Sequence, residues 1–233
     1  MLMILSGGGG PAKNPEARQI FADAVDKSRP LLYVALSQTP ENSVGHYSSF
    51  VAWAASVGIY SSRLCESPEF FDDCDLSQFG GIYVEGGNTF RLLAALKEHG
   101  GDKKIRDYLL AGGVYFGTSA GAIIGGRDIM PIIYMDANAV FLEDTQGLDM
   151  IGGWSTVAHY NNSRDEFVNA ERNAAVERIA KRYPRLVALS EETAIIVKED
   201  GAFIQGAECT VFEDGVKRVI ESGGALCGAA ARQ

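Results

Sequence analysis

Three observations predict an α/β fold. Apolar runs of strand length alternate with stretches of helical spacing. Those runs are apolar on both faces, as strands of a buried parallel sheet are. Glycine-rich turns follow several of them. The expected architecture has three layers (α/β/α) with a mainly parallel central sheet. Antiparallel strands are expected near the C-terminus, and a sharp strand-to-helix elbow near residue 119. No low-complexity linker and no fixed-period repeat interrupts residues 1–233, which read as one domain.

The elements follow in order. "MLMILSG" reads as a buried strand running into the glycines that end at Gly10. "KNPEARQIFADAVDKS" carries Ala17, Ile20, Phe21, Ala24 and Val25 at helical spacing, and Pro30 breaks it. "PLLYVAL" is the next strand. "SVGHYSSFVAWAASVG" is a helix closed by Gly58. "FGGIYVEGG" is a strand, "NTFRLLAALKEHGG" a helix from Asn88 to Gly100, and "KKIRDYLLAGG" another helix. "GVYFGTS" returns to strand. Later, "NAAVERIAKRY" is helical, and "TAIIVKEDGAFIQGAECTVFEDGVKRVIES" reads as strands joined by "EDG" turns at one sheet edge.

Composition narrows the function. The net charge of −9, with no basic stripe, argues against nucleic acid and anionic membranes as partners. No apolar run approaches the ~18 residues of a membrane span. The N-terminal run lacks a basic start and reads as a strand, not a signal peptide. Cys65, Cys74, Cys209 and Cys227 are scattered with no CxxC pair, and there are three histidines, so no metal site is expected. Reduced thiols fit a cytoplasmic location.

Ser119 stands in Gly117-Thr118-Ser119-Ala120-Gly121, a G-x-S-x-G pattern between a strand and a short helix. In that setting the turn exposes the hydroxyl, and small neighbours let the backbone close on itself. The same letters also describe an ordinary glycine-rich loop. A second strand-glycine-helix junction, "YVEGGNTFRLL", belongs at the same carboxyl edge of a parallel sheet. Gly87 could then donate its N–H beside that of Ala120 as an oxyanion hole; plain helix capping by Asn88 is the alternative. A serine nucleophile needs a base, and the choice is His46, His99 or His159. Elimination favours His159, in the polar stretch "STVAHYNNSRDEF". An orienting carboxylate could be Glu191, Glu192, Asp128 or Asp136, and composition does not choose among them. Glu191 and Glu192 are adjacent, so in extended chain only one can face the site.

The motifs "GGNTFRLL", "GVYFGTSAGA", "MPI", "HYNNSR" and "EETAIIV", in that order from about Ile82 to Val197, resemble the peptidase E and cyanophycinase family. Its members are serine peptidases on a class I glutamine amidotransferase-like fold. The resemblance implies Ser119 as nucleophile and His159 as base, with Glu191 as third member and Asp128 as the second choice. Gly87 and Ala120 match the oxyanion donors, and Asn88 a substrate contact. It implies no cofactor and, as substrate, short peptides with N-terminal aspartate. Such a carboxylate needs a partner when buried. Arg164 and Asn88 are the candidates, although Arg164 could equally pair on the surface with Asp165 or Glu166. Two departures bear on the substrate: "VAHY" stands where peptidase E has "NPHF", and the arginine cluster of cyanophycinase is missing. Glutamine amidotransferases carry cysteine at the elbow, where this chain has serine. A non-catalytic or glutamine amidotransferase-like small-molecule-binding member of the same fold is the alternative. A homodimer is compatible with the sequence.

Overall fold

The computed structural model describes residues 1–228. In chain order the first half contains β1 (Leu2–Ser6), α1 (Pro15–Ala24), β2 (Leu31–Val34), α2 (Pro40–Ser56), β3 (Ser62–Cys65), α3 (Phe70–Asp73), β4 (Gly81–Val84), α4 (Thr89–Glu98), α5 (Gly101–Leu110), β5 (Val114–Thr118) and α6 (Ala120–Ile123). The second half contains β6 (Ser155–Val157), α7 (Glu166–Ala180), β7 (Arg185–Ala188), β8 (Thr193–Lys198), β9 (Gly201–Gly206), β10 (Cys209–Glu213), β11 (Val216–Ile220) and β12 (Ala225–Gly228).

The main sheet has the order β12-β9-β8-β1-β5-β4-β2-β3. The five strands from β1 to β3 in that order are mutually parallel, and β8, β9 and β12 extend the sheet antiparallel. Every residue of β2 and β4 is buried, as expected for strands covered on both faces. One face carries Ile4, Phe116, Tyr83 and Tyr33 in register across β1, β5, β4 and β2, packed under α1 and α2. Their rings stack: Tyr83 on Phe116 at 5.2 Å and Tyr33 on Tyr83 at 5.4 Å. The opposite face, with Leu32, Val84 and Tyr115, packs with residues of α4, α5 and α6.

The C-terminal strands differ from expectation. "TAIIVKEDGAFIQGAE" does form antiparallel edge strands, but β10 and β11 leave for a second sheet of order β11-β10-β7-β6. Period-2 alternation says that a strand has a buried face, not which strand lies beside it. Three short strands lie outside the sequence reading, β3, β6 and β12, with four, three and four residues. Helix α7 begins earlier than its apolar pattern suggests. Asp165 accepts hydrogen bonds from the N–H groups of Phe167 and Val168 and starts it. Only Val176 and Ala180 of this helix are buried, so periodicity has little to register. No helix among the described residues is long and apolar enough to cross a membrane.

Parallel strands present their following turns at one edge. Here that edge gathers the glycines after β1, the Gly86-Gly87 turn after β4 and the elbow after β5.

Candidate active site

Ser119 follows β5 with φ 52° and ψ −111°, an uncommon conformation for a residue with a side chain. Its N–H still donates to Ser6 O at 3.0 Å, extending the strand pairing by one step. Its carbonyl accepts from Ala122 and Ile123 and starts α6. The strand is thus forced into a helix within one residue, and the hydroxyl is left outside the turn. Glycine is required on both sides of it. A Cβ on Gly117 would stand 2.2 Å from Gly121 O, and one on Gly121 would stand 2.4 Å from Val84 O.

His159 follows β6, with its N–H on Gly7 O at 3.1 Å and a positive φ of 56°. The ring reaches the elbow: Nε2 is 2.8 Å from Ser119 Oγ. On its other side Nδ1 is 3.0 Å from Glu191 Oε1. Glu191 sits in the turn between β7 and β8, and its N–H donates to Asn162 Oδ1 at 2.8 Å. The glycines after β1 back this arrangement, since a Cβ on Gly8 would lie 2.3 Å from His159 Cε1. They make room for an imidazole. A Gly8→Ala chain is expected to lose about 100-fold in kcat/KM by pushing the ring off Ser119, with a far smaller change in melting temperature. Steady-state kinetics beside a thermal melt would check both.

The carboxylates now separate. Glu192, the neighbour of Glu191, turns outward and pairs with Lys13 at 3.3 Å. Asp136 accepts from Thr89 N–H and Oγ1–H at 2.8 and 2.6 Å and caps α4. Asp128 accepts from Met130 N–H at 2.8 Å in a local turn and makes no hydrogen bond to His159. Of the two candidates for the third member, the one beside His159 Nδ1 is Glu191, the first choice, and not Asp128, the second. Of the remaining histidines, His99 meets Asp72 at 2.7 Å, and His46 meets Gln38 at 2.8 Å on the wall of the cavity in front of Ser119.

A cavity of about 450 Å³ opens in front of Ser119 and His159, with Gly86 and Gly87 on its rim. The N–H groups of Gly87 and Ala120 donate to no protein acceptor among the described residues. Gly87 holds φ +153°, and a Cβ there would lie 2.6 Å from Ser37 Oγ. The two residues expected to meet a substrate carboxylate, Asn88 and Arg164, are not among those lining this cavity. Asn88 uses its side chain to cap α4 through Arg91 N–H and to donate to Ala137 O. Arg164 is exposed ahead of α7 and does not line the cavity. The charged groups that do line it are Arg18 from α1 and Glu85 just after β4, walled by Tyr33, Tyr83, Phe50 and Trp53. Sequence reasoning missed both. A signal existed: Arg18 falls on the buried face of α1 with Ala17, Phe21 and Ala22, and Glu85 interrupts an otherwise apolar strand end.

A parallel-sheet enzyme whose elbow serine bonds to an imidazole backed by a carboxylate belongs, as a class, with the serine hydrolases. Comparison with known proteins narrows that class. The model of peptidase family S51 matches residues 2–205, and the chain belongs to this family. It is a serine peptidase. It is 29% identical over 178 residues to the uncharacterized peptidase Lin0382 of Listeria innocua, covering 75% of this chain and 83% of that one. It is 25% identical to peptidase E of Escherichia coli O6 over 231 residues, covering 95% and 98% of the two chains. The crystal structure of a peptidase from an acI-B1 actinobacterium superposes with a TM-score of 0.75 at 17% identity, covering 97% and 96%. That likeness speaks to the fold.

Proposed function

We propose that the chain hydrolyses short peptides, dipeptides with N-terminal aspartate among them, through Ser119, His159 and Glu191 by way of an acyl-enzyme. The observation that carries this reading is the continuous hydrogen-bond chain from Ser119 Oγ through the imidazole to Glu191, at 2.8 and 3.0 Å. Glu191 fixes the tautomer with the proton on Nδ1, so Nε2 accepts the serine proton as Oγ attacks the scissile carbonyl. The N–H groups of Gly87 and Ala120 receive the developing oxyanion, a stabilisation of about 3 kcal/mol per donor. His159 then protonates the leaving amine, and water repeats the sequence on the ester. The aspartate preference comes from the resemblance to peptidase E. The enzyme works in the cytoplasm, on peptides and not on nucleic acid.

A serine-reactive fluorophosphonate should label wild-type protein on Ser119, and a panel of dipeptides should show cleavage of aspartyl substrates ahead of neutral ones. An unlabelled, inactive wild type would leave the chain a binding protein of the same fold.

A further inference from the structure

Arg18 is 7% exposed, yet it lines the cavity in front of Ser119. Its single side-chain hydrogen bond is from Nη1 to Tyr83 Oη at 3.2 Å, and no carboxylate pairs with it among the described residues. The guanidinium carbon sits 5.5, 5.8 and 5.3 Å from the ring centroids of Trp53, Tyr83 and Phe116. These faces hold it in place and lend partial negative character, but they do not neutralise it. A nearly buried cation without a counter-charge is costly in the empty protein. An anion arriving in the cavity removes that cost.

A carboxyl group lines the same cavity. It belongs to Glu85, which is 2% exposed. It accepts from Tyr33 Oη at 2.8 Å and from Ser43 Oγ at 3.1 Å, with His46 Nδ1 at 3.6 Å. Burial raises its pKa, against the opposing pull of Tyr33, Ser43 and His46. A cation against it would favour its ionised form. Tyr33 and Tyr83, cross-strand partners stacked at 5.4 Å, each hold one of the two charges by the hydroxyl. Glu85 immediately precedes Gly86 and Gly87, so it sits next to the oxyanion turn.

We propose that Arg18 and Glu85 form the subsite that reads the N-terminal residue of the substrate, Arg18 taking its carboxylate and Glu85 its ammonium. This rests on the peptidase reading above and supplies the recognition that Arg164 does not. The chemistry required is a free ammonium and a carboxylate within two or three carbons of the scissile carbonyl. An α-aspartyl residue has it, with the carboxylate on its side chain. A β-aspartyl residue has it too, with the carboxylate on its α carbon.

The test compares aspartyl-leucine, β-aspartyl-leucine, asparaginyl-leucine and N-acetyl-aspartyl-leucine on wild type, Arg18→Gln and Glu85→Gln, with fluorophosphonate labelling of Ser119 in each. In Arg18→Gln the ratio of kcat/KM for aspartyl-leucine over asparaginyl-leucine should fall about 100-fold. In Glu85→Gln the advantage of the free amine over the acetylated substrate should fall by a similar factor. Whichever linkage the wild type favours identifies the carboxylate that Arg18 receives, and the Arg18→Gln loss should track it. Calorimetry on Ser119→Ala covers the case in which the buried variants fail to fold: L-aspartate should bind more tightly than L-asparagine and N-acetyl-aspartate. A wild type that is labelled and cleaves dipeptides, but with an aspartate preference untouched by Arg18→Gln, overturns the subsite and spares the peptidase. So does equal binding of aspartate and asparagine by Ser119→Ala. A wild type that neither labels nor cleaves overturns the peptidase reading first.

Discussion

Ser119→Ala is expected to reduce kcat on the preferred dipeptide by about 10⁴- to 10⁶-fold, the range seen when a hydrolase loses its nucleophile. The change removes one oxygen and leaves the backbone geometry in place. The residue keeps φ 52°, and Gly117 and Gly121 still make room for the turn. The melting temperature should move by no more than a few degrees, so lost turnover cannot be read as lost fold. Residual rate above the uncatalysed reaction would come from the Gly87 and Ala120 N–H groups and from substrate binding, neither of which the substitution touches. Single-turnover kinetics with a chromogenic aspartyl substrate would check this. A variant retaining more than a tenth of wild-type kcat would remove Ser119 from the reaction.

The second large effect is at the carboxylate. Glu191→Gln is expected to lower kcat by about 10⁴-fold. The amide keeps the volume and can offer its N–H to His159 Nδ1. That stabilises the tautomer with the proton on Nε2, which faces Ser119 Oγ at 2.8 Å and could no longer accept. Glu192→Gln and Asp128→Asn are the controls. Among the described residues the Glu192 side chain pairs with Lys13 alone, and an asparagine at 128 can still accept from Met130 N–H, so both should stay within about threefold of wild type. Loss of activity in Asp128→Asn with retention in Glu191→Gln would reverse the assignment of the third member.

The elbow and its setting were legible because they are local. Gly117, Ser119 and Gly121 lie within five residues, and the steric reason for the small neighbours acts across one turn of chain. The parallel sheet was legible for a similar reason: runs such as "GIYV" and "VYFG" are apolar throughout, as burial on both faces requires. The strand β3, "SRLC", escaped because it is a short, half-exposed edge with no such run. His159 followed from scarcity, since the chain has three histidines to choose from.

What tertiary structure alone decided is which distant groups meet. Glu191 and Glu192 are chemically the same and adjacent in sequence, and only the course of the turn between β7 and β8 sends one to the imidazole and the other to Lys13. Arg18, Tyr33, Tyr83 and Glu85 become one pocket because β2 and β4 pair in the register Tyr33↔Tyr83 beneath α1. A shift of one residue in that pairing would turn those rings to the other face. Side-chain chemistry and local sterics are properties of a few neighbouring residues. Registration of strands dozens of residues apart is a property of the whole packed core, and no single segment carries it.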